Sequence, residues 1–556
     1  MSETVDTYLL LRAFVDELAR CGIAGACTSP GSRSTPIVLS LARDGRFPCT
    51  SHVDERTAAF YALGLAKATG RPAVLTCTSG TAAAHYYPAV IEAREARVPL
   101  IVLTTDRPPE LRDVGAGQTV DQLRLFGPFA KWFVEVGTHP HTPERERLIR
   151  QLACRAVWTA LGDRPGVVHL NFPLREPLVL DAPLPPAGDP PDAPPAVVRE
   201  SAAAGDPSEL HAALAGFTRP LIVAGRTERG APVAAPPGVP ILADPLSGAR
   251  RGPGAVAHYD ALLRHAGFAA GVTPDLVLRA GDLPTSKPLR AWLAGLEGVA
   301  QWALDPEGAW HDPAGVVSRS FALEPAEALR AARLPAQDGW ADAWSTADAR
   351  AAAALDAVLG EALNEPNVAR ALATAVAPRA QVLIAASMPI RDAETFWPVL
   401  DAAPRALANR GANGIDGTLA TGYGLAAGTG VPTYVLLGDV AFAHDVGALL
   451  TGKRLGGDLT VVVVDNAGGG IFDFLPVATQ GDHYAEHVLT PTGLEVERAA
   501  ALFDARYAAI GDLARLHEAL GEPPRGTTIL HVRTERTANV ALHRRCWQAV
   551  GAARGE

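Results

Sequence analysis

Short, unbroken apolar runs rich in β-branched residues recur along the chain, and each gives way to small or polar residues and then to a helical pattern. They include 73–78, 100–105, 166–172, 220–224, 240–243, 276–280, 382–386, 433–437, 459–464 and 528–532. Continuous apolar strands alternating with helices predict parallel sheets covered on both faces. Such sheets take their ligands at the carboxyl ends of the strands. The polar residues just after each run are therefore where chemistry is to be sought. With 556 residues, the chain is too long for one core and suits about three domains.

Two stretches interrupt the alternation. Residues 181–200 hold seven prolines and read as an extended linker, and 333–341 form a weaker break. The expected division is 1–180, 200–333 and 342–556. A net charge of −10 argues against a nucleic-acid partner, so an anionic ligand must meet locally placed arginines and lysines. The six cysteines are scattered without a C-x-x-C pair, which disfavours zinc ribbons and disulfide frameworks. The first twenty residues carry early acids and read as an amphipathic helix, not a signal peptide. No apolar run is long enough to span a bilayer. A soluble, cytoplasmic protein is expected.

Two near-motifs mislead. Gly447-ALLT-Gly452-Lys453 imitates a phosphate loop, but Arg454 stands where a metal-binding Ser or Thr belongs and no strand precedes it. Gly422-Tyr-Gly424-Leu-Ala-Ala427 imitates a dinucleotide fingerprint inside a helical stretch, where small residues are expected to allow close helix packing.

The stronger pattern lies in the last third. One run ends in Gly438-Asp439, and the next ends in Asp465-Asn466-Ala467-Gly468-Gly469-Gly470. Asp439 and Asn466 are 27 residues apart, the length of one crossover, so both should emerge at the same sheet edge. A carboxylate, an amide oxygen and a free carbonyl are hard ligands of the kind magnesium takes alongside phosphate oxygens. A helix start after Gly438 would add amide donors. These residues alone also suit two ordinary strand-end turns.

Gly-Asp-x(26)-Asn followed by Gly-Gly-Gly-Ile-Phe resembles the signature of thiamine-diphosphate enzymes. The resemblance implies an α/β chain of three doubly wound parallel-sheet domains, the pyruvate-decarboxylase-like architecture. It implies that Asp439, Asn466 and the Gly468 carbonyl hold Mg2+ or Mn2+ on the cofactor's diphosphate, with Gly438 beside it. It also implies an activating glutamate in the first domain, matched by Glu55 in His52-Val-Asp54-Glu55-Arg56, although an acid at a helix start has an ordinary structural reading too. Ser79, Gly80, Thr81 and Gln118 then surround the pyrimidine ring, and Ile415 props the cofactor. In this family the glutamate serves a cofactor held by the other subunit, so a homo-oligomer with interfacial active sites is implied.

More finely, the chain is similar to the 2-succinyl-5-enolpyruvyl-6-hydroxy-3-cyclohexene-1-carboxylate (SEPHCHC) synthase family, MenD of menaquinone biosynthesis. Ser29-Pro-Gly-Ser32-Arg33-Ser34, Thr105-Asp106-Arg107-Pro108, Gly117-Gln118-Thr119 and Asn409-Arg410-Gly411-Ala412-Asn413-Gly414-Ile415-Asp416-Gly417 carry the likeness. The implied substrates are 2-oxoglutarate and isochorismate, which bring four carboxylates. Ser32, Arg33, Arg107, Gln118, Lys287, Ser387, Arg391 and Arg410 are implied to bind them, and Ile471, Phe472 and Leu475 to form an apolar wall. Arginine suits such anions because its planar fork matches a carboxylate. Some family members carry a second base directly after the lysine, where this chain has Pro288. Two alternatives stay open: a flavin-bearing thiamine enzyme of the acetolactate synthase kind, and a catalytically dead thiamine-fold protein.

Overall fold

The structure, a computed structural model, describes residues 3–553 apart from 182, 186–189, 191, 200–204, 331 and 333. Among the described residues the strands form three six-stranded sheets, every pairing parallel. The first sheet comprises β1 (Gly25–Thr28), β2 (Cys49–Ser51), β3 (Ala73–Cys77), β4 (Leu100–Asp106), β5 (Ala130–Glu135) and β6 (Val167–Pro173). The second comprises β7 (Pro220–Ala224), β8 (Ile241–Ala243), β9 (Ala255–Val256), β10 (Leu276–Ala280), β11 (Ala300–Leu304) and β12 (Arg319–Phe321). The third comprises β13 (Gln381–Ile384), β14 (Arg405–Leu407), β15 (Thr433–Gly438), β16 (Leu459–Asp465), β17 (Arg506–Ile510) and β18 (Thr527–Arg533).

Each apolar run read from the sequence is one of these strands. Their burial is continuous because helices cover both faces: β3, β4, β6, β7 and β10 are buried at every residue. The strands that the sequence pattern misses are mostly short or at sheet edges. β2 and β12 are three residues long and partly exposed, and β9 has only two residues.

The first and third sheets share one strand order, β2-β1-β3-β4-β6-β5 matching β14-β13-β15-β16-β18-β17. Corresponding strand ends therefore carry corresponding site loops. The second sheet runs β12-β11-β10-β7-β8-β9, with its topological switch between β7 and β10. There the two strand ends are in backbone contact: a Cβ on Gly225 would lie 1.5 Å from the Asp282 carbonyl oxygen. Arg226 closes the same point with an ion pair to Asp282 at 2.6 Å.

The compact units do not follow sequence order. The first contains residues 1–202, 409–430 and 447–457; the second contains 203–408, 431–446 and 458–556. In the first unit the Glu55–Thr69 and Thr418–Thr429 helices approach backbone to backbone. A Cβ on Gly64 would stand 2.2 Å from the Thr421 carbonyl oxygen, and one on Gly424 2.0 Å from that of Tyr61. The false dinucleotide fingerprint is thus a helix-packing surface. The false phosphate loop is helical as well, running through Val446–Ala448 and Leu449–Leu455.

In the second unit Arg250 links the middle and last sheets. It donates to the carbonyl of Ala243, the last residue of β8, and to the carbonyls of Ala393, Glu394 and Trp397 at the end of the Met388–Phe396 helix. A cation is favoured at the carbonyl end of a helix, and here it adds to the Trp397 amide that the Ala393 carbonyl already accepts.

The proline-rich stretch at 181–200 and the break at 333–341 fall partly outside the described residues. Where described, the first is anchored to its own unit, as the Val197 carbonyl accepts from Trp158 Nε1 at 3.1 Å. All six cysteines are free. Among the described residues no helix is long and apolar enough to cross a membrane.

Candidate functional site

In the second unit, β15 and β16 run side by side with Gly438 opposite Val464, so Asp439 and Asn466 leave neighbouring strand ends. Asp439 is 6% exposed. Burial, then the nearby Asp465, push its carboxyl up to about 6, against the pull of the Gly468, Val440 and Asp439 amides that bond to it. Those amides therefore face the carboxylate in this structure, where the sequence suggested donors for a diphosphate. Ala467 and Gly468 turn the chain with φ of 60° and 135°. No side chain fits at Gly468, since a Cβ would lie 2.6 Å from the Leu489 carbonyl oxygen. The Gly468 carbonyl accepts from the Gly470 amide at 2.9 Å, which leaves it a second lone pair.

Asn466 supplies the test of fit. Its Nδ2 donates to Glu365 Oε1 at 2.9 Å, while its buried Oδ1 has no partner among the described residues. A buried amide oxygen without a partner is costly, and a cation beside it would relieve that cost. With the Asp439 carboxylate and the Gly468 carbonyl, it makes an all-oxygen donor set suited to a small divalent cation. Glu365, only 4% exposed, is the residue that sequence reasoning missed. It also accepts from Thr534 Oγ1 at 2.9 Å, so its orientation is fixed, and it in turn fixes which end of the Asn466 amide faces the site.

A cavity of about 420 Å³ lies in the same unit, and its lining includes Lys287, Arg391, Ile471, Phe474 and Leu475. Lys287 opens the Lys287–Ala294 helix, capped by Ser286. Arg391 donates to the Ser387 carbonyl at 2.6 Å, and Ser387 holds a φ of 74° at the end of β13. Phe474 stands in the wall where the sequence reading had Phe472. Phe472 instead lies against Gly469, whose Cβ position would be 2.9 Å from its ring.

In the first unit, Glu55 begins its helix behind Asp54, whose side chain accepts from the Arg56 and Thr57 amides at 2.8 and 3.4 Å. A helix start ordinarily stabilises a carboxylate. Burial wins here and raises the Glu55 carboxyl above its usual range, against the opposing effects of its own amide and His85. Ser79 and Gln118 clasp each other: Ser79 Oγ donates to the Gln118 carbonyl at 3.0 Å, and Gln118 Nε2 to the Ser79 carbonyl at 2.9 Å. Gly80, at φ 86°, donates its amide to buried Gln122 at 2.9 Å, just before Thr81 starts a short helix. Gln122 also donates to the Thr105 carbonyl and Asn171 Oδ1 at 3.1 Å each, so it ties the β3 loop to β4 and β6.

Ser32 is exposed and Arg33 is buried on the loop after β1. Arg33 donates inward to the Leu174 carbonyl at 2.7 Å and to the exposed Glu176 at 3.1 Å. Burial, and then the positive charge of Arg107, lower its pKa. Arg107 bonds the Ser79 hydroxyl. Arg410 and Ile415 belong to this unit too. Their loop is held by Glu92, which accepts from the Gly411 and Ala412 amides at 2.8 and 2.6 Å.

Three stretches match families of thiamine-diphosphate enzymes: residues 10–125 the N-terminal thiamine-pyrophosphate-binding domain, 216–384 the middle domain, and 399–532 the C-terminal binding domain. A 2-succinyl-5-enolpyruvyl-6-hydroxy-3-cyclohexene-1-carboxylate synthase of Bacillus velezensis is 41% identical over 97% of this chain and 96% of that protein. The chain belongs to the SEPHCHC synthase family. Synthases of the same name from Geobacillus kaustophilus and Halobacterium salinarum are each 40% identical, over 99% and 96% of this chain and 98% and 96% of theirs. As a member, the chain is a thiamine-diphosphate-dependent transferase. Membership of the SEPHCHC synthase family gives Glu365 a measurable consequence. Glu365→Gln is expected to weaken Mn2+-dependent thiamine-diphosphate binding roughly 10- to 100-fold, as loss of a ligand's orienting partner usually does. Calorimetric titration reads it, and unchanged affinity would remove Glu365 from the site.

Proposed function

We propose that this chain carries out the reaction for which its family is named. It would decarboxylate 2-oxoglutarate and join the four-carbon unit to isochorismate, giving 2-succinyl-5-enolpyruvyl-6-hydroxy-3-cyclohexene-1-carboxylate and CO2 in menaquinone biosynthesis. One observation carries the reading. The loop that holds Asn466 and Gly468 runs directly into Ile471 and Leu475, which line a cavity with the cations Lys287 and Arg391. A metal–diphosphate cradle is thereby continuous with a pocket suited to carboxylates.

When bound, thiamine diphosphate supplies the carbon nucleophile and the electron sink. Asp439, Asn466 and the Gly468 carbonyl would hold Mg2+ or Mn2+ on its diphosphate. Glu55 would donate a proton to its pyrimidine ring, with Ser79, Gly80, Thr81, Gln118 and Ile415 around it. The raised carboxyl of Glu55 supports that role, because a proton donor must keep its proton near neutral pH. Arg33, Arg107 and Arg410 would add to the carboxylate contacts. The reading includes a homodimer as the smallest active form, Glu55 of one protomer serving its partner's cofactor, and a cytoplasmic setting in keeping with six free cysteines.

The test supplies thiamine diphosphate, Mg2+, 2-oxoglutarate and isochorismate to purified protein and follows the loss of isochorismate absorbance. Turnover that requires all four is expected. Absence of turnover, or equal turnover with pyruvate as donor, would refute the reading.

A further inference from the structure

We propose that Arg544 is a further specificity-determining residue, binding one carboxylate of the acceptor at the mouth of the cavity lined by Lys287 and Arg391. The inference rests on the proposed synthase reaction and names a residue that neither the sequence motifs nor the family matches single out.

The charges around the cavity decide the matter. Four cationic side chains line it, Arg264, Lys287, Arg391 and Arg544, with two acids, Asp260 and Glu394. Arg264 is already neutralised. It pairs with Asp260 at 3.0 Å, and its guanidinium carbon lies 3.8 Å from the centre of the Trp547 ring. Asp260 is occupied further by Ser286 Oγ and Thr395 Oγ1, which donate to its oxygens at 2.7 and 3.2 Å. Glu394 is buried and bonded by the Tyr259 hydroxyl. Burial and the nearby Asp244 push its carboxyl up, against the pull of Arg250.

Lys287, Arg391 and Arg544 remain. Among the described residues, none of the three is ion-paired to a carboxylate. Like charges gathered around one concave surface repel each other, and an anionic ligand relieves the repulsion. Arg544 reaches the same cavity from the Arg536–Ala552 helix.

Exposure separates the acceptor from the donor. Arg391 is half-buried, whereas Lys287 and Arg544 are exposed at the opening. In the proposed reaction the donor loses CO2 before its carbon unit joins the acceptor, which sets the order of the chemistry and not of binding. The outer cations suit the substrate that reacts second, and the Trp547 and Leu475 side chains beside them give its ring an apolar surface.

Arg544→Ala and Arg544→Lys test this by steady-state kinetics with each substrate varied, and by calorimetry of isochorismate on cofactor-loaded protein without 2-oxoglutarate. The alanine variant should raise the KM and Kd for isochorismate roughly 10- to 100-fold, the range expected for one charge-assisted contact. The KM for 2-oxoglutarate and kcat should stay within about twofold, and lysine should recover most of the loss. An unchanged isochorismate Kd, an equal rise for both substrates, or a fall in kcat alone would overturn the assignment of Arg544 and leave the reaction standing. A wild-type protein without turnover would overturn both.

Discussion

Replacing Glu55 by glutamine is expected to lower kcat by roughly two to four orders of magnitude, the span lost when a general acid or base is removed. The substitution keeps the shape and hydrogen-bonding reach of the side chain and takes away its proton. Asp54 remains as the helix cap, so thermal unfolding should be little altered. Cofactor affinity should also change little, because the residues proposed to hold the metal belong to the other compact unit. Stopped-flow turnover beside hydrogen–deuterium exchange at the cofactor's reactive carbon separates the steps: exchange should slow in parallel with kcat. A variant that exchanged and turned over at the normal rate would show that Glu55 is merely a helix-starting acid.

Asp439→Ala should fail for a different reason. Removing the proposed metal ligand is expected to weaken thiamine-diphosphate binding by more than about 100-fold, beyond the usual cost of losing a ligand's supporting partner. Excess cofactor and Mn2+ should restore part of the activity, as they could not for Glu55→Gln. Acidity should reproduce the defect in the intact protein. The metal needs the carboxylate, and the Asp439 carboxyl titrates at about 6. Cofactor loading at limiting metal should thus be high at pH 8 and fall as the pH drops through 6. For the metal-free chain the linkage has the opposite sign. A carboxyl raised above its unfolded value adds stability on acidification and loses it as the pH rises, so the metal offsets a strain that neutral pH imposes. Affinity that did not respond to Asp439→Ala would remove it from the metal site.

How much of this could be read from the sequence depends on the range of each interaction. Buried strands write themselves into a local run of apolar residues, which is why 220–224 and 276–280 coincide with β7 and β10. Edge strands such as β2 bury too little to do so. The Asp439 and Asn466 loops were legible because one crossover fixes their separation. Glu365 was not, although it opens its helix behind a capping Asn364 much as Glu55 does behind Asp54. Both look like acids that favour a helix start. Only a partner 101 residues away joins Glu365 to the proposed cradle, and no local pattern records that. Glu92 is more remote still, 319 residues from the glycine amide it holds. The arginines were named by motif, but whether each is spent inward, as Arg33 is, or left facing a cavity, as Arg391 is, is a property of packing.

The assembly of the first unit from residues 1–202, 409–430 and 447–457 has a bearing on how the chain is made. A ribosome releases the Glu55–Thr69 helix early, but the glycine-lined helix that packs on it, Thr418–Thr429, follows some 350 residues later. At about 5–20 residues per second, the nascent first unit would wait tens of seconds with that face uncovered. A fragment ending near residue 202 would wait indefinitely. Expressed alone, it should call on chaperones or aggregate, while the full-length chain finishes its first unit almost last.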